Sequence, residues 1–328
     1  MAGAIKGINE RKAALRDAIK PYSRAATQAK SPVNSTVSTF QLNKVYGQHL
    51  LKNPAILDAM IEKAQLKSSD TVLEIGSGTG NLTMRLLPLV KRVVAIEVDP
   101  RMVAELQRRV ASTEHRHKLT LILGDAIKTE FPYFDVCLSN TPYQISSPLT
   151  FKLLSHRPIF REAFLMFQRE FALRLVAEPA DPLYCRLSIN TQLLCKPTHV
   201  MKIGKNNFRP PPKVESSIIS LKPYNPPPPV NFLEWDGLVR IAFSRKNKTM
   251  KAIFKKDKVV GLIYDNYRTH CSLHNIPVDK DCTTEHMKKT VLDILEKSGL
   301  ADKRSNKMNL NDFLTLLNAF NSNLIHFT

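Results

Sequence analysis

The chain has 328 residues, with 48 Lys plus Arg against 29 Asp plus Glu, a formal net charge of +19. With 43% hydrophobic and 23% charged residues it is not a disordered polyelectrolyte, and its length suits two domains or one large domain with an appendage. No run approaches the roughly 18 apolar residues of a membrane-spanning helix, and the excess of cations favours a polyanionic partner, nucleic acid or an anionic membrane surface. The five cysteines (Cys137, Cys185, Cys195, Cys271 and Cys282) include no C-x-x-C pair and are odd in number. They read as reduced thiols inside a cell, with neither a disulfide framework nor a metal site.

Residues 1–38 form a basic extension. Lys6, Arg11, Lys12, Arg16, Lys20, Arg24 and Lys30 outweigh Glu10 and Asp17, and the composition then turns to Ser, Thr, Pro and Asn. A frayed basic tail fits this best, with a mitochondrial transit peptide as the rival reading. From residue 39 to 229 strands alternate with helices. Strands are expected at Thr71–Ile75, Val93–Val98, Leu119–Leu123 and Phe134–Leu138, with helices at Leu82–Val90 and Arg101–Val110. Such alternation predicts a parallel sheet covered by helices on both faces. Thr198–Ile203 and Ser216–Leu221 are suited to an antiparallel edge pair. Pro223 and Pro226–Pro229 then make a stiff linker, the best domain boundary. Residues 230–328 read as a small helical domain, with apolar positions three and four apart over Trp235–Phe243, Glu285–Leu295 and Leu310–Leu317.

The run Val72-Leu73-Glu74-Ile75-Gly76-Ser77-Gly78-Thr79-Gly80 follows the first of these strands. Gly76, Gly78 and Gly80 let the backbone turn tightly and approach a ligand closely. The G-x-G-x-G spacing differs from the dinucleotide pattern. An acid, Glu74, just before the first glycine favours a ligand with a cationic amino acid part, such as S-adenosylmethionine. Glu97, ending the second strand, is placed to accept both ribose hydroxyls of a nucleoside. Asp125, in Gly124-Asp125-Ala126 after the third strand, is placed to accept from the adenine amino group.

Ser139-Asn140-Thr141-Pro142-Tyr143 ends the fourth strand beside that crevice. An exocyclic amine on adenine is a poor nucleophile, because its lone pair is delocalised into the ring. Two acceptors, the Asn140 side-chain oxygen and the Thr141 carbonyl, favour a pyramidal nitrogen with its lone pair aimed at a methyl donor. Pro142 stiffens the turn, and Tyr143 offers a face for the base. No strong general base is needed, so position and preorganised dipoles carry the rate. A stacked base must first be extruded.

Asn-x-Pro-Tyr motifs mark methyltransferases acting on amino or amide nitrogens. The longer Asn140–Pro148 run, with Gly47–Pro54, Phe208–Ser217, Phe167–Glu170, Trp235–Gly237 and Arg245–Thr249, resembles the rRNA adenine N6,N6-dimethyltransferases, most of all their eukaryotic small-subunit (18S) branch. The resemblance runs from about residue 45 to 258. It implies a class I, Rossmann-like α/β methyltransferase fold dependent on S-adenosylmethionine, with a helical C-terminal domain. It implies dimethylation of two adjacent adenosines in the 3′-terminal hairpin of 18S rRNA during ribosome assembly, with a pre-ribosomal particle as partner. A monomer is expected, in the nucleus or nucleolus and also the cytoplasm, with the mitochondrion as the alternative. By motif position His49 and Leu51 line the cofactor site, completed by Gly76, Glu97, Asp125, Ala126 and Asn140. Phe208 closes on the adenine face opposite Tyr143. Two departures stand out, since many relatives carry Pro at the position of Ser77 and Leu at that of Thr141. Both positions act chiefly through backbone.

Arg240, Arg245, Lys246, Lys248, Lys251, Lys255, Lys256 and Lys258 cluster with one acid, Asp257, and with Phe243 and Phe254 between them. On a basic helix over 240–258 these cations are candidates for contact with RNA phosphates, Arg245, Lys246, Lys248 and Lys251 above all. Competing readings are a DNA adenine or protein glutamine methyltransferase, or a non-catalytic assembly or transcription factor on the same fold. The charge and the basic motif disfavour the first two. The intact Gly76–Gly80 and Asn140–Tyr143 favour retained catalysis over the third.

Overall fold

The computed structural model describes residues 50–278 and 283–328 of the chain. The 1–38 extension, His49 and Cys282 lie outside the described residues. Two units are present, one made of residues 50–173 and Cys195–Pro226, the other of Arg174–Leu194 and Pro227–Thr328.

The first unit is built on a seven-stranded sheet. In chain order its elements are β1 (Leu50–Leu51), α1 (Pro54–Ala64), β2 (Thr71–Ile75), α2 (Thr83–Leu86), β3 (Arg92–Glu97), α3 (Pro100–Ala111), β4 (Leu119–Leu123), β5 (Val136–Asn140), α4 (Ser146–Ser155), β6 (Glu162–Gln168), β7 (Cys195–Ile203), β8 (Phe208–Arg209) and β9 (Ser216–Pro223). The sheet order is β4-β3-β2-β5-β6-β9-β7, with β1 and β8 paired separately. Strands β2 to β6 run parallel, and β9 pairs antiparallel with both β6 and β7. Val72, Leu73 and Ile75 in β2 are buried, the continuous apolar run of a strand covered on both faces. Helix starts follow local chemistry. Asn53 and Asp99 each accept from the backbone N–H two residues on, and a proline occupies the next position.

Several elements differ from the sequence expectation. The helix expected over Leu82–Val90 contracts to α2, because Pro88 has no N–H to continue the ladder. The strand expected over Phe134–Leu138 slides to Val136–Asn140. Phe134 instead stacks on His156 and Phe160, with ring centroids 4.8 and 5.2 Å away. The slide makes Asn140 the last residue of β5. A strand outside those expected, β6, joins the sheet beside β5. At the amino ends of β2 and β6 Arg161 clamps buried Asp70 through two bonds of 2.9 and 2.7 Å, holding the Asp70 carboxyl below its usual range.

The chain leaves the sheet unit within α5 (Arg169–Val176) and returns to it at β7. The second unit is helical: α6 (Arg186–Leu194), α7 (Phe232–Ala242), α8 (Met250–Phe254), α9 (Asp257–Leu273), α10 (Thr284–Lys297) and α11 (Leu310–Asn321). The sequence expectation places the boundary at 229/230, at the end of the proline-rich linker. The break falls at Pro226/Pro227 inside the proline run, and Arg174–Leu194 groups with the helices rather than with the sheet. The physical reason is a buried polar network. The Trp235 indole N–H donates to Asn190 Oδ1 at 3.0 Å, Asn190 Nδ2 donates to Asp236 Oδ1 at 2.7 Å, and Arg186 reaches the same carboxylate at 3.1 Å. Gly237 completes the Trp235-Asp236-Gly237 motif for a steric reason, since a Cβ there would lie 2.2 Å from the Phe327 carbonyl oxygen. Among the described residues no helix is long and apolar enough to cross a membrane.

Candidate active site

The strand order reverses between β2 and β5, and in open α/β sheets the crevice at the carboxyl ends of such a pair binds ligands. The chain turns out of β2 through Gly76, Gly78 and Gly80, all at positive φ (72°, 55° and 85°), where a Cβ is strained. Gly76 N–H donates to the Ile96 carbonyl at 2.8 Å. A Cβ on Gly76 would stand 3.4 Å from Pro142 Cδ and 3.6 Å from the Asn140 carbonyl oxygen. The glycine loop and the Asn-Thr-Pro-Tyr segment therefore abut at one edge.

The three acids sit at successive strand ends. Glu97 is buried, and its carboxylate accepts from the N–H groups of Gly78 (2.8 Å), Val98 and Asp99 (both 3.0 Å). It thereby holds the glycine loop to β3. Asp125 follows β4, and its Oδ1 accepts from Ile127 N–H at 2.8 Å while Ala126 is buried beside it. Among the described residues its Oδ2 has no partner. Glu74 lies deeper. It is 2% exposed, and its Oε2 accepts from the Thr83 hydroxyl at 2.6 Å. Burial pushes its carboxyl up to about 8, raised further by neighbouring Glu97 and opposed by the Thr83 hydrogen bond. The sequence suggests a charged Glu74, whereas the folded chain holds it largely protonated at neutral pH.

In the acceptor motif, Thr141 turns its hydroxyl inward to Ser139 Oγ (3.0 Å), and Ser139 Oγ donates to the Ile75 carbonyl at 2.6 Å. This relay ties the end of β5 to the end of β2 and is consistent with Thr141 acting through its backbone. The Tyr143 hydroxyl shares a 2.6 Å hydrogen bond with Ser216 Oγ on β9, so the ring is held as a fixed platform, half-buried. Burial raises the phenol above its usual value, and the Ser216 bond opposes the rise. Ser216 belongs to the Phe208–Ser217 motif, and that motif is its signal in the sequence. Phe208 departs from expectation. Its backbone pairs with Leu51, and its ring is 1% exposed within the apolar core that includes Leu51, Ile56, Met166 and Ile218. It offers no open face to a base here, because the β1–β8 pairing turns it inward. Leu51 is likewise buried in that core.

Two further side chains shape the crevice without a signature in the sequence. Arg109, near the end of α3, donates to the Thr79 carbonyl at 2.5 Å and to Asn81 Oδ1 at 3.1 Å, bracing the glycine loop. Lys152 in α4 binds the loop that follows Asp125. Among the described residues, Ser77 Oγ, buried within the glycine loop, has no hydrogen-bond partner. A buried hydroxyl without a partner is costly, and a polar ligand seated on the loop would satisfy it. Together the groups fit a nucleoside carrying an amino acid part: close backbone approach at the glycines, acceptors at Glu97 and Asp125, and an acid at Glu74.

The basic cluster of the helical unit is not one helix. Residues 246–249 form a turn, Thr249 caps α8 by accepting from Ala252 N–H, and α9 starts anew at Asp257. Of the aromatics expected between the cations, Phe254 is fully buried and Phe243 half-buried, and both pack on other rings of the unit. Phe243 stacks on Phe313 at 5.8 Å, and Phe254 on Phe320 at 5.4 Å. The four candidate cations separate by environment. Lys246 spends its ammonium on the Pro182 and Tyr184 carbonyls (2.9 and 3.3 Å), and Lys251 pairs with Glu296 at 2.6 Å. Arg245, just before the turn, and Lys248, on it, are exposed.

The sequence profile described as "Ribosomal RNA adenine dimethylase" matches residues 39–285. A probable dimethyladenosine transferase of Dictyostelium discoideum is 60% identical over 300 residues, covering 92% of this chain and 95% of its own. The counterpart in Drosophila melanogaster, also a probable dimethyladenosine transferase, is 58% identical over 285 residues, covering 87% and 92%. Among solved structures, a dimethyladenosine transferase from Plasmodium falciparum superposes with a TM-score of 0.81 at 51% identity, covering 85% of this chain and all of its own.

Proposed function

We propose, on the premise that this chain belongs to the ribosomal RNA adenine dimethylase family, that its crevice dimethylates the exocyclic amines of two adjacent adenosines in the 3′-terminal hairpin of small-subunit rRNA. The protein is an rRNA adenine dimethyltransferase. S-adenosylmethionine, the donor that the family and the crevice both suit, supplies an electrophilic methyl group on a sulfonium centre. The observation that carries the reading is the abutment of Gly76 on Asn140 and Pro142, which brings donor loop and acceptor motif to one edge.

The chain's own groups divide the work. Glu97 and Asp125 would hold the nucleoside end of the donor, and Glu74, once ionised, its amino group. Asn140 and the Thr141 carbonyl accept the two amine hydrogens and leave the nitrogen lone pair directed at the donor. Tyr143, pinned by Ser216, carries the base on its face. Removing the amine from conjugation and fixing its position lowers the barrier without a general base. The exposed cations of the helical unit, Arg245 and Lys248, contact phosphate. The reading extends, on the family resemblance, to action on an assembling small subunit in the nucleolus.

The test is methyl transfer from labelled donor to a small-subunit hairpin with two adjacent adenosines, digested and resolved as nucleosides. N6,N6-dimethyladenosine is expected from the native chain. Asn140→Ala should lower the rate at least about 100-fold, the scale of losing one preorganised polar group. An unchanged rate in that variant would refute the mechanism. Labelling elsewhere in the RNA would refute the substrate.

A further inference from the structure

The helix that follows the acceptor motif also grips the adenine side of the crevice. α4 begins at Ser146, whose hydroxyl donates to the Tyr143 carbonyl at 2.9 Å. Six residues on, about 9 Å along the axis, stands Lys152. Its ammonium donates to the carbonyls of Ala126 (2.7 Å), Ile127 (2.9 Å) and Thr129, and lies 4.2 Å from the centroid of the Phe131 ring. An ammonium has three N–H donors, and here all three have convergent backbone acceptors in one loop, with an aromatic face beside them. A solvated surface lysine has no such arrangement.

The loop so gripped is the one that presents Asp125. Within it Ile127 N–H donates to Asp125 Oδ1 at 2.8 Å, and the N–H groups of Lys128 and Thr129 donate to the Asp125 carbonyl at 2.9 and 2.8 Å. Those bonds close the turn, and Gly124 N–H ties its start to the Glu97 carbonyl at the end of β3 at 2.8 Å. Phe131 adds an edge contact to buried Phe134, with centroids 6.4 Å apart. Lys152 adds a polar anchor on the far side of Asp125, and it belongs to the rigid helix whose first turn is bonded to Tyr143.

We propose that Lys152 is a positioning residue that sets the Asp125 carboxylate against the adenine amino group of the methyl donor, in register with the acceptor motif at the head of α4. The inference rests on the reading of the crevice as an S-adenosylmethionine site. It adds to it a determinant of base specificity that touches neither donor nor RNA.

The test measures specificity rather than rate alone. S-adenosylhomocysteine and its 6-oxo counterpart, S-inosylhomocysteine, are titrated by calorimetry into the native chain, Lys152→Met and Lys152→Arg. The native chain should prefer the amino form by about 10–100-fold, the worth of a hydrogen bond to a charged acceptor. In Lys152→Met the preference should fall by about tenfold, while affinity for the 6-oxo form stays within about threefold. Lys152→Arg keeps the charge, but its planar fork does not match three convergent carbonyls, so an intermediate preference is expected. It also serves as the measurement should the methionine variant not fold. If the preference persists in the variants and both ligands weaken equally, Lys152 merely supports the fold and the inference is overturned. No preference in the native chain overturns the Asp125 contact and this inference with it. No binding of S-adenosylhomocysteine by the native chain overturns the donor site itself.

Discussion

Replacing Glu74 by glutamine should flatten the fall of stability with rising pH. The carboxyl is fully buried, and its pKa is pushed up from 4.5 to about 8, chiefly by desolvation. In the unfolded chain it titrates near the ordinary value. Between about pH 5 and 8 the folded protein therefore holds a proton that the unfolded chain has lost. Stability contributed by this site is full below the unfolded pKa and declines as pH rises towards the folded pKa. The slope is about 1.4 kcal/mol per pH unit, or about 3 kcal/mol between pH 5.5 and 7.5. The glutamine side chain of the Glu74→Gln variant keeps an oxygen to accept from the Thr83 hydroxyl but has no proton to lose. The assay is urea denaturation of both ligand-free proteins at those two pH values, with the native-minus-variant difference taken at each. In that difference the other titrating groups cancel to first order. The difference should move by about 3 kcal/mol in favour of the variant as pH rises. A constant difference would refute the account of Glu74 as a buried, protonated acid. Its functional counterpart is donor affinity: the native chain should bind S-adenosylhomocysteine more tightly as pH rises to about 8. The variant should bind it more weakly and without that dependence.

The cations of the basic turn should respond differently to substitution. Lys246→Met removes two hydrogen bonds to backbone carbonyls and should destabilise the helical unit by about 1–2 kcal/mol in chemical denaturation. Lys248→Glu should leave stability unchanged within about 0.5 kcal/mol, yet weaken RNA binding and reduce its salt dependence. The opposite pattern would reverse the assignment. Gly237→Ala, which helix propensity alone would make stabilising by about 1 kcal/mol, should instead destabilise by about 1–3 kcal/mol. The new Cβ meets Phe327 backbone and displaces a segment held by Glu234, whose carboxylate accepts from Phe327 N–H at 2.8 Å and Thr328 Oγ1 at 2.9 Å. A more stable variant on denaturation would show that this segment yields without loss.

The amino-acid sequence alone made the sheet legible where strands are short, apolar and bounded by glycine or charge. Thr71–Ile75 and Leu119–Leu123 fall where periodicity puts them. The donor loop and the acceptor tetrapeptide are local motifs, so their chemistry could be read from adjacent residues. What local pattern does not carry is direction and partnership. Phe208 looks like a loop aromatic open to a base until its strand pairs with Leu51 and turns the ring into the core. Lys246 looks like any cation of a basic run until the Pro182–Tyr184 segment supplies it with carbonyls from 62 and 64 residues away. Arg109 and Lys152 reach the crevice from α3 and α4 without any motif to mark them, and Ser216, though within a motif, meets Tyr143 only across 73 residues of chain. The electrostatic state of Glu74 also belongs to the fold, since desolvation depends on everything packed around the carboxyl. Residue type and spacing thus determined what chemistry this protein has available. The tertiary structure decided which side chains face the crevice, which serve the core and which acid keeps its proton, because burial and hydrogen-bond partnership are set by contacts between distant parts of the chain.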